Sequence, residues 1–91
     1  MDISYDPDKS ERNIAERGLS FELVVFFDWA SAVIKEDSRN DFGELRFQAL
    51  GFIGDRLHMV IYTPRDPCAH VISLRKANQR EIKRYETQTQ P

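Results

Sequence analysis

The stretch Ile53-Gly54-Asp55-Arg56-Leu57-His58-Met59-Val60-Ile61-Tyr62-Thr63 decides the fold class. It holds an apolar, β-branched and aromatic run that reads as a strand, Arg56 to Thr63, preceded by a turn in which Gly54 can take positive φ. The run before it, Glu44 to Phe52, is a second strand, so the two form a hairpin closed at Ile53-Gly54-Asp55. Downstream, Pro64-Arg65-Asp66-Pro67 reads as another turn, and His70-Val71-Ile72-Ser73-Leu74-Arg75 as the next strand. Upstream, Ala32 to Glu36 is a further strand. Consecutive strands joined by short turns give an antiparallel meander.

Helices flank the meander. Asp6-Pro7 starts one: Asp6 accepts backbone N–H groups as N-cap, and Pro7 fits the first helical position. That helix runs to Arg17, with Gly18 where a left-handed C-cap is expected. Ser20 caps a short helix, Phe21 to Phe27, whose apolar run leaves little polar face. Asn78 with Glu81 three residues on forms a capping box for the last helix. Ile3-Ser4-Tyr5 is a short opening strand. The expectation is an α+β domain in the order β-α-α-β-β-β-β-α, an antiparallel β-sheet with helices packed mainly on one face. Residues 87–91 have nothing to bury and are expected to fray.

Composition sets further bounds. Ninety-one residues, 41% hydrophobic and 31% charged, suit one domain over residues 1–91 with a thin core. No run reaches 18 apolar residues, and the first residues lack the basic and apolar regions of a signal peptide, so a cytoplasmic protein is expected. The single Cys68 excludes a disulfide framework. There is no Walker A loop, G-x-G-x-x-G, H-E-x-x-H or G-x-S-x-G motif. His58, His70 and Cys68 fit no standard metal spacing, and no metal or other cofactor is expected. The net charge of −2 hides an asymmetry: residues 1–44 carry net −6 and residues 45–91 net +4. A basic half points to a polyanion or an acidic partner.

The basic residues of the second half are the more telling ones, with Arg65 at the opposite end of the hairpin from Arg75 and Lys76. Arg75 and Lys76 end the last strand, Arg80, Lys83 and Arg84 follow on the helix, and Arg65 sits on the preceding turn. Strict alternation puts Val71, Ser73 and Arg75 on one strand face and His70, Ile72 and Leu74 on the other. Guanidinium forks clamp phosphates bidentately, while a hydroxyl donates to an oxygen. An exposed cationic edge that discourages sheet-to-sheet pairing is the competing structural account.

The chain resembles the BrnT family of type II toxins, the partners of BrnA antitoxins, over nearly its whole length. The resemblance rests on Tyr5-Asp6-Pro7-Asp8-Lys9 with Asn13, Arg17-Gly18 with Ser20-Phe21-Glu22, and Asp37-Ser38-Arg39 with Asp41-Phe42-Gly43-Glu44-Leu45-Arg46. Tyr62-Thr63 with Arg65, Ile72-Ser73-Leu74-Arg75-Lys76-Ala77, and Glu81 with Tyr85 complete it. It implies a RelE-like fold and a bacterial endoribonuclease that inhibits translation. It also implies a ribbon-helix-helix antitoxin that neutralises the toxin and carries the complex to operator DNA. Two positions depart from the family's pattern: Arg17 stands where a His usually precedes the helix-ending Gly, and His70 where an Arg usually opens the strand motif.

RNA can be cut without a metal because its own 2′-hydroxyl attacks the adjacent phosphorus. The protein then neutralises the phosphorane and moves protons. Arg75 and Arg65 are the expected charge stabilisers. Glu81, Tyr85 and His70 are the candidates for proton transfer, with rival structural roles for Glu81 in the capping box and Tyr85 in the core. Lys9, Arg39, Arg46, Ser73, Lys76 and Arg80 are the expected RNA contacts. A catalytically dead, toxin-like module that only pairs with an antitoxin for DNA-bound autoregulation is the alternative.

Overall fold

A computed structural model describes residues 1–38 and 43–90. Along the chain run β1 (Asp2–Tyr5), α1 (Pro7–Arg17), a 3-10 helix η1 (Phe21–Phe26), β2 (Val33–Glu36), β3 (Phe47–Ile53), β4 (Arg56–Arg65), β5 (Cys68–Lys76) and α2 (Gln79–Thr89). The strands form one sheet in the order β1-β5-β4-β3-β2. β2 to β5 are the expected antiparallel meander. β1 corrects the expectation of a purely antiparallel sheet: it pairs parallel to β5, Ile3 opposite Ala69 and Tyr5 opposite Val71. The sheet is therefore mixed, because α1 and all that follows separate the first strand from its partner, and no hairpin turn dictates their relative direction.

Local chemistry sets the helix ends. The Asp6 carboxylate accepts from Asp8 N at 2.9 Å, and Gly18, at φ +72°, donates its N–H to Ile14 O at 2.7 Å. Asn78 and Glu81 complete both halves of the capping box. α2 continues past the expected fraying point to Thr89, and the Thr87 and Thr89 hydroxyls donate to the carbonyls of Lys83 and Tyr85 one turn back. The second helix is 3-10 rather than α, with a matching burial pattern. Phe21, Val24 and Phe27 are buried at intervals of three, while Val25 and Phe26 are exposed. Three residues per turn eclipse i and i+3, so only every third side chain faces the sheet.

β4 also runs further than expected, through Pro64 and Arg65, leaving only Asp66-Pro67 as the turn. Pro64 is tolerated because β3 begins opposite Tyr62, so the missing N–H falls beyond the β3 ladder.

Strand alternation divides the core in two. On the first face, Phe21, Val24 and Phe27 of the η1 segment pack on Ala49, Val60, Tyr62, Ala69, Val71 and Leu74. Trp29 sits edge-on to Phe27 and Tyr62, at centroid distances of 4.7 and 5.2 Å. On the second face, Tyr85 and Ile82 of α2 cover Leu50, Leu57, Met59 and Ile61. η1 thus serves the first face, α1 packs at the edge of β5 that β1 leaves uncovered, and α2 closes one end of the second face. The rest of the second face is left open beside β5.

One glycine is required by packing. A Cβ on Gly51 would lie 2.6 Å from Cζ of the buried Phe27 ring. Gly51→Ala is expected to destabilise the fold by about 1–3 kcal/mol, the usual cost of overpacking a rigid site. Urea denaturation checks this, with a lowered midpoint at unchanged slope as the expected result.

Candidate nucleic-acid interface

β5 does not alternate regularly. Ile61 of β4 pairs with Ser73, but its neighbour Tyr62 pairs with Val71, so Ile72 is an extra residue in the ladder. This bulge shifts the phase of everything before it. Val71 turns to the first face with Leu74, and His70, opposite Thr63, shares the second face with Ser73 and Arg75. The expectation from strict alternation, that His70 points away from Arg75, is therefore corrected.

Each of these side chains is held. Arg75 donates from Nη1 and Nη2 to the two Glu81 carboxylate oxygens, at 2.8 and 2.9 Å. This bidentate pair lowers the Glu81 pKa, against an opposing push from burial and with help from the Asn78 N–H. The Arg75 pair thus favours the Glu81 carboxylate form, and that carboxylate already serves the guanidinium and the helix cap. Tyr85 is buried, edge-on to Phe52 at 5.5 Å, and its hydroxyl donates to Ser31 O at 3.0 Å. Both rival structural roles are filled.

His70 has a different setting. Its Nδ1 and the Ser4 Oγ, on paired positions of β5 and β1, are hydrogen-bonded at 2.9 Å. Burial lowers the His70 pKa, and Arg65 and Lys9 lower it further, against Glu44 and Asp6, which raise it. The ring is half-buried, and Ser4 fixes the Nδ1 side while Nε2 makes no described hydrogen bond.

Beside this row runs α1. Asn13 is 5% exposed and anchors the helix to the sheet: its Nδ2 donates to Leu74 O at 2.9 Å and to Leu19 O at 2.8 Å. β1 stops opposite Val71, so Asn13 satisfies a carbonyl on the uncovered edge of β5. Lys9, Arg12, Asn13, Glu16 and Arg17 lie three or four residues apart along this helix. With Arg46, Ile72 and Ser73 they line a cleft of about 350 Å³. Arg17 Nη1 donates to Asn13 Oδ1 at 3.0 Å and to Ser73 Oγ at 3.1 Å.

Of the expected site residues, Lys9, Arg46 and Ser73 meet in this cleft, and His70 and Arg75 share its sheet face. Arg65, at the far end of β4, is largely exposed and 3.8 Å from Glu44, which also pairs with Arg46 at 3.5 Å. Lys76 pairs with His58, next along from the first-face residue Val60, and so stands on the opposite side from Arg75. Arg80 is exposed on α2 away from the cleft. Arg39 lies outside the described residues. Arg12, Arg17, Asn13 and Ser4 were not among the expected site residues, although Arg17 stands out in the sequence as a departure from the family's pattern. The spacing of Lys9, Arg12 and Glu16 on one capped helix was a signal for the first two. Nothing in the sequence announced that Ser4 meets His70.

The family model for "Ribonuclease toxin, BrnT, of type II toxin-antitoxin system" matches residues 5–81. A crystal structure of the Brucella abortus ribonuclease toxin BrnT is similar to this chain at 32% identity and a TM-score of 0.68. That match covers 87% of this chain and 99% of the other. No curated protein matches. With the matched span running from the first strand into the last helix, the chain belongs to the BrnT family of ribonuclease toxins of type II toxin–antitoxin systems.

Proposed function

We propose that the open part of the second sheet face is where this toxin cuts RNA, by a metal-independent attack of the ribose 2′-hydroxyl on the adjacent phosphorus. The observation that carries the reading is the bulge-dependent gathering of His70, Ser73 and Arg75 on one face, bordered by Arg65 and α1. The RelE-like reading of the fold fits this use of a sheet face.

The chemistry divides among the residues. Ser73 and Arg75, two residues apart, stand about 7 Å from each other on this face, and His70 lies further along it beyond the bulge at Ile72, so an RNA strand laid along the face meets Arg75, Ser73 and His70 in turn. The guanidinium of Arg75 stabilises the charge that builds on the phosphorane oxygens. His70 Nε2 takes the 2′-hydroxyl proton, with Ser4 holding the ring, and water protonates the leaving 5′-oxygen. Glu81 orients Arg75 and Tyr85 packs α2; neither is asked to transfer a proton. The products are a 2′,3′-cyclic phosphate and a 5′-hydroxyl. Cutting messenger RNA, free or on the ribosome, inhibits translation.

A type II toxin has an antitoxin partner. In this reading it is a BrnA-type ribbon-helix-helix protein whose acidic or amphipathic segment covers the basic cleft, while its other part binds operator DNA. Electrostatic complementarity speeds and orients such binding.

Three outcomes test the proposal. Arg75→Ala is expected to slow cleavage of a labelled RNA about a hundredfold or more, the usual loss for one donor to a developing oxyanion. Thermal melts accompany it, because losing the pair with Glu81 costs about 1–2 kcal/mol of stability. Full cleavage by this variant would refute the assigned face. The rate should rise as pH climbs through a His70 pKa below its ordinary value and level off above it, because only the neutral ring accepts a proton. His70→Gln should flatten that limb in a pH–rate profile. Cleavage should also survive EDTA: among the described residues no three His, Cys, Asp or Glu side chains cluster for a metal. Loss of activity in chelator, restored by Mg²⁺, would overturn the metal-free mechanism.

A further inference from the structure

We infer that the α1 cleft is a second phosphate subsite, that Arg17 is its principal ligand, and that it holds the backbone phosphate next to the one over the catalytic row. The inference rests on the RNA-cleaving reading above and deepens it. It starts from a contrast between two arginines. Arg75 is paired in both directions with Glu81, so much of its charge is already answered. Arg17 has no carboxylate partner among the described residues, and neither do Lys9 and Arg12. Three cations without a carboxylate partner among the described residues therefore border one cleft, with Arg46, which pairs with Glu44, and Glu16 also on its lining.

Arg17 is also preorganised. Both Nη1 hydrogens are used, on Asn13 Oδ1 and Ser73 Oγ. Asn13 is itself fixed by two backbone carbonyls and buried. The Nη2 and Nε donors make no hydrogen bond in the described structure. A guanidinium pinned on one side and open on the other presents a two-donor edge that matches phosphate. Its anchor, Ser73, lies about 7 Å along the same face from Arg75, close to one nucleotide step of an extended strand. The cleft is open and rich in positive charge, with Phe21 and Ile72 as the apolar part of its lining, and its run of cations suits a sugar-phosphate backbone.

The test is binding of a fluorescein-labelled 2′-O-methyl RNA oligonucleotide, which has no 2′-hydroxyl to attack, measured by anisotropy over a series of salt concentrations. Arg17→Ala should weaken binding about tenfold or more, the value of a charge-assisted contact. It should also reduce the slope of log K against log salt by about 0.7, one phosphate's worth on a single strand. Arg17→Lys keeps the charge but loses the two-donor edge, and should retain the slope while still losing affinity. Lys83→Ala, an exposed cation on α2, should leave both unchanged. Melting temperatures verify folding. An Arg17→Ala protein with the parent's affinity and slope overturns the inference, as does a loss equalled by Lys83→Ala. In either case the function reading stands if the parent cuts RNA and Arg75→Ala does not. A parent that neither binds nor cuts RNA overturns both.

Discussion

Between Val71 and Ser73 the last strand spends one residue, Ile72, that has no partner on β4. That step keeps two requirements compatible. Val71 and Leu74 both reach the first-face core, where each is almost fully buried, although their spacing of three would put them on opposite faces of a regular strand. Because Val71 is turned inward, His70 is turned outward, beside Ser4 and on the face of Ser73 and Arg75. The core constraint and the polar row are thus one geometric fact. A change that made β5 regular would carry His70 into the first-face core or Val71 out of it.

The second support of the site is polar and equally local. α1 packs by the part of β5 that β1 leaves uncovered, and Asn13 ties it there through the buried Leu74 carbonyl and the Leu19 carbonyl. The same side chain offers its oxygen to Arg17, so the anchor of the helix also aims a cation at the cleft. At the other end, Glu81 joins the cap of α2 to Arg75. The open face is bordered by two helices, each fixed by a side chain that serves both the backbone and a charged neighbour. This is how a thin-cored domain keeps a charged surface in register.

Much of this was legible in residues. Asp6-Pro7 and Gly18 set α1, Asn78 and Glu81 set the start of α2, and Ile53-Gly54-Asp55 marked the central hairpin, because caps and turns are short-range chemistry. The parallel docking of β1 was not legible, since partner choice between remote strands leaves no local signature. The bulge was also hidden: nothing in Val71-Ile72-Ser73 distinguishes a regular strand from one carrying an extra residue, and the error it caused fell on His70. Phe21 to Phe27 misled because an apolar run without polar spacing reads alike for α and 3-10 helices. Arg75 stands out in the sequence as a cation at a strand end beside Lys76 and Arg80, but its pairing with Glu81 depends on where α2 lies. Arg17 was noticed only as a departure from the family's pattern; its position over Ser73 needs the fold.

The central claim is that RNA lies on the open second face, along His70, Ser73 and Arg75 and against α1. Backbone amide chemical shifts of the ¹⁵N-labelled chain, followed through a titration with 2′-O-methyl RNA, test this most directly. The account predicts that the perturbed amides cluster at residues 9–17, 46 and 70–75, with the exposed Val25 and Phe26 on η1 unmoved. Perturbations centred on η1, with β5 and α1 silent, would contradict it.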